Sequence, residues 1–119
     1  MKLKEIVDKL ELDVKTGSSN LDKEISGGYV SDLLSDVMAN SREGDIWITL
    51  QIHQNIVAVA SLKNLAGIVL VNSRVPENET IKKAEKEGIP ILVSNLPAFE
   101  VVGKLHRMGI PGTADAGGI

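Results

Sequence analysis

Three polar clusters recur, each directly after an apolar run. Thr49, Gln51, His53 and Asn55 follow Ile46-Trp47-Ile48; Asn72, Ser73 and Arg74 follow Gly67-Ile68-Val69-Leu70-Val71; Ser94 and Asn95 follow Ile91-Leu92-Val93. If the apolar runs are parallel strands, the clusters lie beyond their carboxyl ends, beside helix N-termini, where open α/β sheets bind ligands. A rim of neutral hydrogen-bonders with a single cation can hold a phosphate or a small polar ligand through helix N–H groups and amide side chains. Asn, Ser and Gln also cap helices and shape turns, so both roles stay open for these residues. His53 stands at a strand end, where a neutral imidazole can act as acid or base. No Ser-His-Asp order, Glu pair or H-x-x-x-H spacing surrounds it. His106 lies late in a helix, where the dipole favours a cation. Neither histidine supports metal binding, and no cofactor is implied.

Nucleotide motifs fail when tested residue by residue. A phosphate loop needs G-x-x-x-x-G-K-[ST], because its backbone cradles phosphates and its hydroxyl holds magnesium. Gly103-Lys104 is followed by Leu105, has Ala98 where the first glycine belongs, and falls within a helical pattern. Ser26-Gly27-Gly28-Tyr29 does not fit G-x-G-x-x-G. The chain has no cysteine, which removes thiol nucleophiles, disulfides, zinc–thiolate sites and iron–sulfur clusters. It is expected not to be an enzyme.

The elements that must position these residues are read from periodicity. Leu3, Ile6, Val7 and Leu10 form the apolar stripe of a helix at about 2–11. Leu12 to Thr16 alternates like a strand and stops at Gly17-Ser18-Ser19-Asn20. Leu21 to Tyr29 is ambiguous; Gly27 and Gly28 within it suit a bulge, a tight turn, or a close approach of backbone to a ligand or partner. Ser31 or Asp32 is expected to cap a helix carrying Leu33, Leu34, Val37 and Met38, with Gly44 ending it. Strand 46–50, helix 56–65, strand 67–71, helix 78–87, strand 89–93 and a helix from Pro97 to Gly109 follow. Three consecutive strand–helix units imply right-handed parallel crossovers. The expected fold is α/β: a mainly parallel sheet with helices on both faces, extended by an N-terminal helix and one or two strands. Residues 1–111 read as a single domain and 112–119 as a disordered tail.

The 119 residues are 43% hydrophobic and 24% charged, the balance of a globular domain. Tyr29, Trp47 and Phe99 are the only aromatics, so a base-stacking platform is not expected. Tyr29 and Trp47 are candidate anchors for a protein partner. With 13 basic and 16 acidic residues the net charge is −3, which argues against nucleic acid and anionic membranes as partners. No apolar run approaches the roughly 20 residues of a membrane span. Met1-Lys2-Leu3-Lys4-Glu5 reads as a helix start rather than a signal peptide. A cytoplasmic setting is expected.

Asp22-Lys23-Glu24-Ile25-Ser26-Gly27-Gly28-Tyr29-Val30-Ser31-Asp32 resembles the DRTGG domain family. Gly44-Asp45-Ile46-Trp47-Ile48-Thr49-Leu50-Gln51, then His53 and Asn55 to Ala60, and later Ile89-Pro90-Ile91-Leu92 and Phe99-Glu100, support the likeness, which covers about residues 1–111. The name-giving positions are Asp22, Lys23 in place of Arg, Ser26 in place of Thr, Gly27 and Gly28. Lys23 cannot form the planar bidentate fork of Arg. The resemblance implies a regulatory or assembly module, similar to those beside CBS domains in certain inorganic pyrophosphatases and within bacterial phosphotransacetylases. Its fold is similar to the N-terminal domain of HPr serine kinase/phosphorylase, yet the missing phosphate loop speaks against a kinase. The resemblance further implies a homodimer, and a partner enzyme fits the regulatory role. The expected function is ligand sensing, with a nucleotide or phosphorylated metabolite bound at Thr49, Gln51, His53, Asn55, Asn72, Ser73 and Ser94, and at Gly27 and Gly28. The alternative is a protein-interaction or dimerisation subunit without a ligand.

Overall fold

A computed structural model describes residues 1–113. Its elements are α1 (Leu3–Leu10), β1 (Asp13–Thr16), β2 (Gly27–Val30), α2 (Leu34–Asn40), β3 (Asp45–Thr49), α3 (Asn55–Leu62), β4 (Gly67–Leu70), α4 (Asn78–Glu87), β5 (Ile91–Val93) and α5 (Ala98–Arg107). A short 3-10 turn, Ser18–Asn20, joins β1 to β2. The strands form one sheet in the order β1-β5-β4-β3-β2. β2, β3, β4 and β5 run parallel; β1 lies antiparallel along β5. The α/β architecture expected from the sequence is therefore present. β2 and α2 add a fourth strand–helix unit ahead of the three that the apolar runs mark.

Side chains alternate across the sheet, and each face has its own core. Ile46, Ile48, Val69, Val71 and Leu92 pack with Leu3, Ile6 and Leu10 of α1 and Val101 and Leu105 of α5. Trp47, Ile68, Leu70, Ile91 and Val93 pack with Val37 of α2, Ile56, Val57 and Ala60 of α3, and Ala84 of α4. Helices α2, α3 and α4 thus cover one face, and α1 and α5 the other. Because β2 to β5 are laid down side by side in chain order, right-handed crossovers must place α2, α3 and α4 on the same face. Only α5 leaves to the opposite one.

Four local expectations change. Trp47 is fully buried, with Nε1–H donating to the Ser31 carbonyl at 2.8 Å, so it is core rather than a surface anchor. Tyr29 is half-buried and donates to Asp36 Oδ2 at 2.8 Å, so its polar tip is already held within the chain. Asp32 does not cap α2. Leu33 occupies the cap position without a side-chain bond, and Ser31 Oγ accepts the Leu33 N–H at 3.1 Å. The helix ends at Asn40 and not at Gly44, which instead takes a left-handed turn (φ 84°) leading into β3.

The tail boundary also moves. Pro111 to Thr113 run beside β2: Gly28 N–H donates to the Pro111 carbonyl at 2.9 Å, and Gly112 bridges Gly28 in parallel. Backbone pairing at the free edge of β2 orders these residues. The remainder of the expected tail, 114–119, lies outside the described residues.

Candidate functional site

The loop after β3 is organised by Asp32, which lies just beyond the adjacent strand β2. Asp32 Oδ1 accepts from Thr49 Oγ1 and from Leu50 N–H, both at 2.8 Å, and its carbonyl accepts from Gln51 Nε2 at 2.9 Å. Thr49 Oγ1 in turn accepts the Gln51 N–H at 3.2 Å. Thr49 is 2% exposed. The Thr49 hydroxyl and the Gln51 backbone N–H and Nε2 thus hold the loop. His53 Nδ1 sits 2.8 Å from Glu77 Oε1, both side chains in solvent, and Ile52 accepts from Glu77 N–H and Thr80 Oγ1, tying this loop to the start of α4. Asn55 is the first residue of α3 and is exposed. Asp32 is the group that residue reading missed, because its partners are 17 or more positions away along the chain.

The loops after β4 and β5 meet directly. Asn72 and Ser73 both adopt left-handed backbone, at φ 56° and 58°. Such angles cost non-glycine residues about 1–3 kcal/mol each and persist only where surrounding contacts impose them. Those contacts are visible: Asn72 N–H donates to the Leu96 carbonyl at 2.9 Å, Ser73 N–H to the Ser94 carbonyl at 2.8 Å, and Ser73 Oγ to Asn95 Oδ1 at 2.9 Å. Ser94 Oγ accepts the Leu96 N–H at 3.1 Å. Arg74 folds back to donate from Nε to the Leu50 carbonyl at 3.1 Å. Here, between β4 and β5, the outgoing helix changes face, from α4 on one side to α5 on the other. In open α/β sheets ligands bind where outgoing helices diverge to opposite faces. A polar cleft of about 310 Å³ adjoins the junction, lined in part by Ser94 and Asn95.

Gly27 and Gly28 are not part of that rim. Gly27 pairs with Asp45 at the opposite end of β3 from Thr49, roughly 13 Å away at about 3.3 Å per residue. A Cβ on Gly27 would lie 2.9 Å from Asp45 Oδ1 and 3.2 Å from the Pro111 carbonyl, so a side chain there has to displace the buried Asp45 carboxylate. One on Gly28 would meet Ile46 Cγ2 at an ordinary 3.6 Å. Asp45, 2% exposed, accepts from Arg42 N–H at 2.9 Å and from Thr113 Oγ1. A second cleft, about 300 Å³, opens here among Gly27, Arg42, Asp45 and Thr113. The other motif residues tie the chain together. Asp22 pairs with Lys4 Nζ at 3.1 Å, and that hydrogen bond holds its carboxyl below the usual 3.8. The Lys23 carbonyl accepts the Leu3 N–H at 2.9 Å, and Ser26 Oγ donates to the Glu43 carbonyl at 2.8 Å.

On the α2 side, the Tyr29 hydroxyl and Asn40 Nδ2 donate to the two oxygens of Asp36. Donation from Tyr29 lowers the Asp36 carboxyl below 3.8 and raises the phenol above 10.0. Among the described residues no group of three or more His, Cys, Asp or Glu could hold a metal ion, and no helix is long and apolar enough to cross a membrane.

A single mostly parallel sheet with its helices divided three and two, in which the Asp22–Gly28 segment leads from β1 into β2, is a DRTGG-like architecture. In particular, the fold is similar to the crystal structure of the CBS and DRTGG domains of the regulatory region of Clostridium perfringens pyrophosphatase, complexed with the activator diadenosine tetraphosphate. The TM-score is 0.67 at 18% identity over 95% of this chain. This chain spans about half of that structure, 49% of its length. No family model matches the sequence, and no curated protein matches it.

Proposed function

We propose that the protein is a non-catalytic regulatory module of the cytoplasm that senses a small ligand at the carboxyl ends of its parallel strands. The observation that carries this reading is the junction of the β4 and β5 loops. Two consecutive strained residues, Asn72 and Ser73, are locked there onto Ser94, Asn95 and Leu96, beside an open polar cleft. The similar pyrophosphatase region is regulatory and was solved with a nucleotide activator, which supports a nucleotide or phosphorylated metabolite as the ligand class. Thr49, Gln51, His53 and Asn55 then form the neighbouring loop that reports occupancy through the Ile52–Glu77 and Ile52–Thr80 contacts. Isothermal titration against a panel of nucleotides and phosphorylated metabolites tests it. Binding by at least one member is expected; silence across the panel overturns the reading.

A second reading, a dimerisation or partner-enzyme subunit, is favoured by one surface. Phe99 is 87% exposed on α5, one turn from Val102, which lines a small groove with Val30, Ile48 and Ile110. Sedimentation equilibrium of the protein and of Phe99→Glu separates the two readings. A dimer lost in the variant supports the interaction subunit, and a mass unchanged by the substitution removes this surface from it.

A further inference from the structure

The cleft at the end of β5 is bounded by three elements: the last turn of α1, the Ser94–Pro97 loop and α5. Its lining includes Lys9, Glu11, Ser94, Asn95, Leu96 and Lys104, and it encloses about 310 Å³, near the lower end of the range for small-molecule sites. The two lysines reach it from different helices. Neither takes part in an ion pair among the described residues, where lysine pairs are formed by Lys4, Lys15 and Lys82. In a chain of net charge −3, two ammoniums against the one carboxylate of Glu11 leave the lining of this cleft net positive, which raises its potential against the average of the surface.

The neutral groups are oriented to donate. Asn95 Oδ1 is occupied by the Ser73 hydroxyl, which fixes the amide and leaves Nδ2 as a donor. The Asn95 backbone N–H has no acceptor among the described residues. Ser94 Oγ accepts from Leu96, so its own hydrogen remains available. Donors of this kind, with two cations, fit phosphate oxygens. Glu11 is the exception. It is held in the cleft wall by a left-handed backbone (φ 54°), and it repels a bare anion while accepting from a hydroxyl, as acidic residues do toward ribose.

From this arrangement we infer a binding site for a phosphate monoester of a hydroxyl-bearing compound, a sugar phosphate or nucleotide. Lys9, Lys104, Asn95 and Ser94 take the phosphate and Glu11 a hydroxyl. The inference rests on the sensing reading and names its ligand class and its residues.

Titration of the full chain with ribose phosphate, inorganic phosphate and ribose is the test. Ribose phosphate is expected to bind most tightly, and ribose without phosphate not to register. Removing both lysines (Lys9→Ala with Lys104→Ala) is expected to weaken ribose phosphate at least about tenfold, from the loss of charged hydrogen bonds. Lys82→Ala with Lys86→Ala, on the outer face of α4, leaves it unchanged. Glu11→Gln narrows the gap between ribose phosphate and inorganic phosphate. Binding that ignores the Lys9 and Lys104 substitutions, or ribose binding as tightly as its phosphate, overturns this site. A nucleotide from the wider panel that still binds with the lysines removed sinks the cleft and spares the sensing reading. Silence from every compound sinks both.

Discussion

The two ends of the sheet are built on opposite plans. At the amino ends of β2 and β3, Gly27, Asp45, Pro111 and Thr113 line a cleft of about 300 Å³, but the polar groups behind it are already paired: the buried Asp45 carboxylate is satisfied by Arg42 N–H and Thr113 Oγ1. At the carboxyl end of β5, Lys9, Lys104 and the donors of Asn95 line an open cleft without ion-pair or hydrogen-bond partners among the described residues. A buried charge without partners is costly, whereas an exposed one costs little. The amino end is closed in its hydrogen bonding, with its buried polar groups satisfied within the chain, whereas at the open end a ligand can add bonds the chain has not already made. The glycine motif lies at one end of the sheet, and the proposed ligand site lies at the other.

Substitutions at the closed end should therefore cost stability, in a graded series. Asp45→Ala comes first: it deprives two donors of a charged acceptor, at roughly 1.5–3 kcal/mol for each bond, read from the denaturation midpoint. Gly27→Ala follows, at about 1–3 kcal/mol, because the added methyl meets a carboxylate and a carbonyl. Gly28→Ala should stay within about 0.5 kcal/mol. Equal losses at the two glycines would break the assignment of Gly27 as the contact point. Thr113→Val, which removes one hydroxyl bridging Asp45 and the Gly28 carbonyl, should cost about 1 kcal/mol.

At the open end the expectation reverses. Lys9→Ala and Lys104→Ala should leave stability within about 0.5 kcal/mol while reducing ligand binding. Stability losses there comparable to those at Asp45 would erase the contrast.

The smallest effect concerns pH at neither end but on the α2 side. The Tyr29–Asp36 hydrogen bond needs a protonated phenol and an ionised carboxylate. Asp36 titrates below 3.8 when folded, so its contribution is present above that value and is lost as pH falls through the lower folded value. Tyr29 titrates above 10.0, so its contribution is present below 10.0 and lost as pH rises through the folded value. Tyr29→Phe should flatten both limbs of a stability–pH profile, and an unchanged profile would remove the pair as their cause.

β3, β4 and β5 were legible because each is an unbroken apolar run, as strands covered on both faces must be. β2 was not, since Gly27 and Gly28 offer no side chains to alternate. Thr49, Asn72 and Ser94 lie at the carboxyl ends of the strands, as their order after the apolar runs predicts, but which two loops meet there depends on where helices change face. That follows from strand order, which spacing along the chain does not encode. Lys9 carried no signal, and Lys104 only that of a failed phosphate-loop pair. Each reads as one more solvated lysine until the packing of α1 against α5 brings both to one cleft. Trp47 misled for a related reason, because a lone aromatic is equally suited to core and surface until its neighbours are known.

The most direct test is an amide NMR map during titration with ribose phosphate. The expected result is shifts centred on Glu11, Ser94, Asn95, Leu96 and Lys104, with Gly27, Gly28 and Asp45 unmoved. Shifts centred on Gly27, Gly28 and Asp45, with the β5 end silent, would contradict the account.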